Sequence, residues 1–439
     1  MKAHAAMRRQ PDPTPALVRL SNGLRVVATS MPNARSLSIA LAVHAGSVYD
    51  PPKTPGLAHF LEHLIFKSTE DFTRSDIAAT MQRCGNRFDP TTSKEIISIA
   101  GTVPMRKSEE ALRLVASVVQ RPRFDGADLE TERQVVIEEL RDCDVDPSKR
   151  IETLADETIW GKHPMGRDTG GTPASVREIT RNHIRNYHRR YFHPHNSVLS
   201  MAGPLSTDEM IALAERFFGE WRSTAQARMP RRPWIDPRTL EVRHSRRSKV
   251  LRRANSQQVW FSISTTTPSY PDGQDAVLKT QLAQTLIGDG DGSRLWDGLR
   301  ERLGLAYDVY ATLDFYSQVG VMSAMAAVGR GRAVTAMRET KAILAGTVER
   351  GFSRDEVARG KDALSAQIDL MAEWNMSNAA RYAELALFDQ KLVTPSEELA
   401  QLQRIGAREF NAFLRERLRW DSAAVCAIGA GPALAVVRS

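Results

Sequence analysis

Between Val18 and Val43 apolar and polar residues alternate around an Asn22-Gly23 turn. That period of two predicts a hairpin followed by a further strand. From Pro55 to Phe66 the spacing changes: Leu57, Leu61 and Leu64 recur at helical intervals. Pro-Gly opens this helix and Lys67-Ser68-Thr69 ends it. Arg74 to Cys84 reads as a second helix, capped by Ser75-Asp76 and stopped by Gly85. Phe88 to Val103 predicts strand, turn and strand, and Lys107 to Val119 an amphipathic helix. Asp128 to Asp142 continues the helical pattern, followed by a helical stretch near Lys149–Trp160 and a Gly-rich loop at Gly166–Gly171. A helix from Ser175 to Phe192, the strand Ser197–Gly203 and a helix from Thr207 to Trp221 complete this half.

Ser223 to Arg238 has no period and is rich in Pro and Arg, which marks a linker. Beyond it the pattern starts again. The strand QVWFSIST leads into the helix DAVLKTQLAQTLIG, and the segment from Leu295 to Val328 repeats the helix, Gly turn, strand, turn, strand order of Ile77 to Val103. Long helices at Arg332–Arg350, Arg354–Met376 and Met376–Leu387 precede REFNAFLRERL and a closing strand, AAVCAIGAG. Two copies of one fold are the economical reading. The expected architecture is α+β: two homologous domains, each a largely antiparallel sheet with helices packed on one face. The expected division is a disordered lead over 1–14, an N-terminal domain over 15–222, a linker over 223–240 and a C-terminal domain over 241–439.

Chemistry concentrates on the first of these helices. His59 and His63 are one turn apart, with Glu62 beside them, and the three leucines fall on roughly the opposite side. Two imidazoles at that spacing can bind one zinc ion, and a neighbouring carboxylate can take a proton from water. The pattern is H-x-x-E-H, the inverse of H-E-x-x-H. Two histidines leave the ion short of a third protein ligand, and a carboxylate can supply it. On the helix DLETERQVVIEELRD, Glu132 and Glu139 are seven residues apart and share a face. Glu139 is the candidate third ligand, with Glu138 its close competitor because sequence leaves the helix rotation open. In the second half the equivalent helix has Thr280, Ala283 and Gln284 at the ligand and base positions, so the metal chemistry belongs to the first copy alone.

Composition narrows the class. The formal net charge is +8, but the basic residues are scattered, apart from Arg185–Arg190 and Arg228–Arg253, and no nucleic-acid motif accompanies them. No nucleic-acid partner is expected. Three distant cysteines, Cys84, Cys143 and Cys426, form no C-x-x-C pair, which fits a reducing, cytoplasmic setting without a disulfide framework. The start, MKAHAAMRRQPDPTP, lacks the apolar core of a secretory signal, and no run of about 18 apolar residues predicts a membrane span.

With these residues in place, the chain resembles the pitrilysin-like M16 family of zinc metallopeptidases over nearly its whole length. It looks closest to short two-domain subunits such as bacterial peptidases and the mitochondrial processing peptidase. GLAHFLEHLIFKST is similar to the family's metal helix, which implies zinc on His59 and His63 and a general base at Glu62. LETERQVVIEEL resembles its downstream helix, implying Glu139 as third ligand and Glu132 as a buried acidic neighbour supporting the site. SRLWDGLRERLGLAYDVY resembles the second-domain segment with the family's Arg and Tyr pair, here Arg300 and Tyr307, which implies contact with the substrate carbonyl and a developing oxyanion. The family's substrate-binding edge strand maps onto Asp89, Thr92 and Ser93. Asp89 and Pro90 stand where the family usually has Asn-Ala, and proline removes one backbone donor from that edge. The resemblance implies a zinc-dependent endopeptidase acting on peptides in a clam-like chamber. A subunit this short implies a dimer, either a homodimer or a heterodimer with a related subunit, and no membrane. The competing implication is a non-catalytic core or substrate-presenting subunit.

Overall fold

The computed structural model describes residues 12–85, 88–224, 247–430 and 437. The first half runs β1 (Pro15–Arg19), β2 (Arg25–Ser30), β3 (Ser36–Val43), α1 (Leu57–Ile65), α2 (Arg74–Arg83), β4 (Phe88–Thr92), β5 (Ile97–Pro104), α3 (Ser108–Gln120), α4 (Gly126–Val145), α5 (Pro147–Trp160), α6 (Pro173–Glu178), α7 (Arg181–Tyr191), β6 (Ser197–Gly203) and α8 (Thr207–Phe218). The second half runs β7 (Ser248–Arg252), β8 (Gln258–Thr267), α9 (Gln274–Gly288), β9 (Ala306–Phe315), β10 (Gly320–Gly329), α10 (Ala333–Glu349), α11 (Arg354–Ala372), α12 (Asn375–Leu387), α13 (Pro395–Arg404), α14 (Ala407–Arg417) and β11 (Ala424–Gly429).

Each half builds one sheet, and the two sheets repeat one topology. The first is ordered β1-β2-β6-β3-β5-β4 and the second β7-β11-β8-β10-β9. In both, a parallel pair (β2 with β6, β7 with β11) is followed by antiparallel neighbours. The internal repeat read from the sequence is therefore a repeat of strand order and direction. The chain is α+β, with two copies of one fold.

Local sequence accounts for most boundaries. Ser206 accepts from the Glu209 N–H while Glu209 bonds back, a capping box that starts α8. Ser353 with Glu356 does the same for α11, and Thr394 with Glu397 for α13. Some expected boundaries need correction: α2 is capped by Thr73, whose hydroxyl accepts from the Asp76 N–H, rather than by Ser75-Asp76, and Ser175–Phe192 is two helices. Thr180 leaves helical geometry to cap α7 through its hydroxyl, so the chain turns between α6 and α7.

Each sheet carries its own helices on one face. Leu57, Phe60, Leu61 and Leu64 of α1 join Leu112, Val115 and Val119 of α3, Ile184 of α7 and the sheet residues Ile39, Leu41 and Leu199 in one core. The other face is closed by exchange between the halves. Ala379, Tyr382, Ala383, Ala386 and Leu387 of α12, from the second half, pack on Val27, Ala40, Ala42, Val198 and Ala202 of the first sheet. Reciprocally, Ile151, Leu154 and Ala155 of α5 pack on Met325, Cys426 and Ile428 of the second sheet. This exchange explains why β6 is buried at all seven positions rather than alternating. Arg25 adds a polar tie by donating to the Ala386 carbonyl and pairing with Asp389 at 2.8 Å. Asp12, at the start of the described chain, accepts from the Ser396 N–H at 3.0 Å. Residues 1–11 of the expected lead and 225–240 of the expected linker lie outside the described residues. Cys84, Cys143 and Cys426 are unpaired thiols, and among the described residues no helix is long and apolar enough to cross a membrane.

Candidate active site

The fold fixes α1 at its start. Gly56 takes φ of 90°, a left-handed conformation that suits glycine, and a Cβ there would lie 2.3 Å from the Gly170 carbonyl oxygen. The buried Asp50 carboxylate accepts the N–H groups of Gly56 (2.7 Å), Leu57 (3.1 Å) and Ala58 (2.9 Å). It thus satisfies the donors that open the helix and faces the positive end of its dipole. Burial pushes the Asp50 carboxyl up to about 8, against these three hydrogen bonds and Arg167, which lower it. With Leu57, Ala58, Phe60, Leu61, Leu64 and Ile65 buried, the helix leaves His59, Glu62 and His63 half-buried on its remaining side.

α4 passes that side and presents two carboxylates one above the other. Glu139 Oε2 is 3.3 Å from His63 Nε2 and 3.9 Å from His59 Nε2. Glu132 Oε2 is 3.4 Å from His63 Nδ1. One imidazole is therefore bracketed by two acids from a single helix face, as the seven-residue interval requires. Glu138 is turned away, exposed and paired with Arg141 on its own helix. A ligand atom from each of His59, Glu62 and His63 also falls within 4.8 Å of the others.

Electrostatics follow from partial burial. Burial, then the charge on His63, pulls the His59 imidazole down to about 4 against the pull of Glu139, so the ring is neutral near pH 7 with a lone pair to offer. Burial alone would also lower His63. Hydrogen bonding to Glu139, the charge of Glu62 and the contact with Glu132 outweigh it, and its pKa is raised. Burial raises Glu62, with Glu139 and Asp89 adding to that and the Thr92 hydroxyl and His63 opposing it. Glu139, hydrogen-bonded to His63, is held below its ordinary value despite some burial. Two imidazole nitrogens and a carboxylate oxygen around one point form a donor set suited to a divalent ion, and a second carboxylate stands beside them. His59 Nδ1, buried and without a hydrogen-bond partner among the described residues, leaves Nε2 as the ring's outward contact.

The other sequence-predicted residues divide into two groups. β4 is the edge of the first sheet and borders the site; Thr92 turns inward toward Glu62, while Asp89 is exposed. Ser93 is spent on its own turn, exchanging hydrogen bonds with Ile96. Pro90 pairs with Ile99 of β5, at a position where an edge strand tolerates proline. Arg300 and Tyr307 form a separate local group in the second half: the guanidinium lies 4.0 Å over the Trp296 ring and donates to the Tyr307 carbonyl at 3.2 Å. Tyr307 is 80% exposed, so its phenol is open to whatever faces that surface. In the second copy, Thr280 bonds its own helix at Ala276 and Gln284 donates to Ala311, so neither is a ligand. Sequence reasoning missed Asp50 and Lys67. Asp50 had no signal, because a five-residue loop separates it from the turn it caps. Lys67 lies four residues after His63, an interval that was legible.

Comparisons with known proteins agree with this architecture. The model "Insulinase (Peptidase family M16)" matches residues 25–173, and "Peptidase M16 inactive domain" matches residues 178–364. An uncharacterized zinc protease of Mycobacterium tuberculosis (strain H37Rv) is 32% identical over 94% of this chain and 93% of its own length. One from Bacillus subtilis is 25% identical over 92% and 95%. Among solved structures, a protease from Helicobacter pylori superposes with a TM-score of 0.87 at 20% identity, covering 95% of this chain and 99% of that one. The peptidase M16 inactive domain from Pseudomonas fluorescens gives 0.85 at 17%, covering 95% and 98%. Near-complete coverage at 32% identity, with both halves matched in order, makes this chain a member of the M16 peptidase family.

Proposed function

We propose that this chain is a zinc-dependent endopeptidase that hydrolyses peptides or unfolded segments inside a dimeric chamber. The observation that carries the reading is the approach of Glu139 Oε2 to both His63 Nε2 (3.3 Å) and His59 Nε2 (3.9 Å), with Glu62 alongside. His59, His63 and Glu139 would hold the ion, which when bound supplies a Lewis acid for the scissile carbonyl and a lowered pKa for attacking water.

Glu62 takes the proton of the attacking water and passes it to the leaving amine. Burial raises its pKa, which makes it the stronger base toward that proton. Glu132 accepts from His63 Nδ1–H and so leaves Nε2 as the donor to the ion. β4, with Thr92 and Ser93 at its end, offers an edge along which an extended peptide can add as a strand. Pro90 and Asp89 narrow what that edge accepts: one backbone donor is absent, and a negative charge faces solvent beside the site. Arg300 and Tyr307, exposed in the second half, suit stabilisation of the oxyanion from a facing half-chamber, which requires a second subunit, identical or related.

The test compares wild type with Glu62→Gln for metal content and for cleavage of a mixed peptide library. One zinc per chain in both, with cleavage only by the wild type, is the expected result. Zinc in both and cleavage in neither, even with a related subunit added, would favour a core or substrate-presenting role.

A further inference from the structure

Lys67 is a charged side chain beside this site to which the proposed reaction gives no task. Lys67 follows α1 and lies one turn beyond His63. Its Nζ is 2.6 Å from Glu132 Oε1, while the other oxygen of the same carboxylate is 3.4 Å from His63 Nδ1. The Glu132 side chain is 6% exposed and that of Lys67 23%. Among the described residues, the ion pairs of Glu132 are with these two groups alone.

We infer that Lys67 is a positioning residue for the metal centre: it holds Glu132 so that its free oxygen orients His63. This rests on the metal-site reading above. A buried carboxylate needs its charge and both oxygens satisfied. His63 occupies Oε2 and meets only part of that need. Lys67 occupies Oε1, supplies the countercharge and fixes the carboxylate plane by binding opposite the imidazole. Without the ammonium, the best remaining partner for Glu132 is water at the protein edge, and turning toward it carries Oε2 away from His63. The ring then loses the acceptor that keeps its proton on Nδ1 and its lone pair on Nε2, where Glu139 and the ion lie. The order of residues serves this directly. His63, in the last turn of α1, and Lys67, just past the helix end, reach to one acid on α4, and Glu139, seven residues further along that helix, reaches the opposite nitrogen of the same ring.

The test is zinc affinity of the full chain, by competition with a chromogenic chelator, for wild type, Lys67→Met, Lys67→Arg, Glu132→Gln and the Lys67→Met/Glu132→Gln double variant. Circular dichroism and thermal unfolding of each variant accompany the titrations. Lys67→Met is expected to weaken zinc binding at least about tenfold, as loss of outer partners of a ligating histidine does. Lys67→Arg restores the affinity, because a second cation of similar reach keeps Glu132 in place. In the Glu132→Gln background, Lys67→Met changes affinity by less than about twofold, since a residue acting only through Glu132 has nothing left to act on. An unchanged affinity in folded Lys67→Met, or effects of the two substitutions that simply multiply, overturns the inference. A wild type that takes up no zinc overturns the metal-site reading and this inference with it.

Discussion

Exchange of α12 and α5 between the halves makes the two copies one folding problem, and Tyr382 is the residue that tests it. It is fully buried on α12 among Val27, Ala40, Ala42, Val198 and Ala202 of the opposite half. Its hydroxyl donates to the Val393 carbonyl at 3.3 Å. Tyr382→Phe removes that hydrogen bond and the longer approach of the same hydroxyl to the Pro13 carbonyl at 3.5 Å, and is expected to cost about 0.5–1.5 kcal/mol. Tyr382→Ala also removes the ring from a closed layer between helix and sheet, so the loss rises to about 3–5 kcal/mol, the range for aromatic truncation in a core. The assay is equilibrium urea unfolding followed by far-ultraviolet circular dichroism and by tryptophan fluorescence, reading both substitutions against wild type. Because the ring links the halves, the midpoints from the two probes are expected to fall together. A cost below about 1 kcal/mol for Tyr382→Ala, or a cost no larger than that of Tyr382→Phe, refutes the packing argument.

Two further predictions concern the first half. Asp50→Ala strands three backbone donors at the start of α1 and is expected to cost about 2 kcal/mol, the upper end for a lost helix cap; thermal unfolding and zinc titration should show lower stability and weaker metal binding together. Burial holds His188 down to about 4, while its Nε2 donates to the Val119 carbonyl at 2.9 Å and Arg189 adds to the depression. A folded pKa below the ordinary 6.5 means that the unfolded chain binds the extra proton first. The stabilisation from neutral His188 is therefore complete above about pH 6.5 and lost as pH falls toward 4, by about 3 kcal/mol in all. Stability curves against pH for wild type and His188→Gln should diverge in that window and run parallel above it.

Much of this protein follows from local pattern. Period-two alternation marked β2 and β3, helical spacing marked α1 and α4, and capping residues set half of the helix starts, because each of these depends on contacts within a few residues. The imidazole pair is equally local: one turn of helix fixes the separation of His59 and His63 whatever surrounds them. The repeat was also legible, since both copies solve the same burial problem with the same order of elements. The choice between Glu138 and Glu139 was not local. It depends on the rotation of α4, which is set by burial of Leu129, Glu132, Val136 and Ile137 against the rest of the domain. Asp50 and Lys67 acquired roles only when folding brought a loop carboxylate under α1 and α4 beside it. The exchange of α5 and α12 left no periodic trace at all. An apolar stripe on a helix states that it will be buried and leaves open against which sheet, and here each sheet's second face is closed by the other half of the chain.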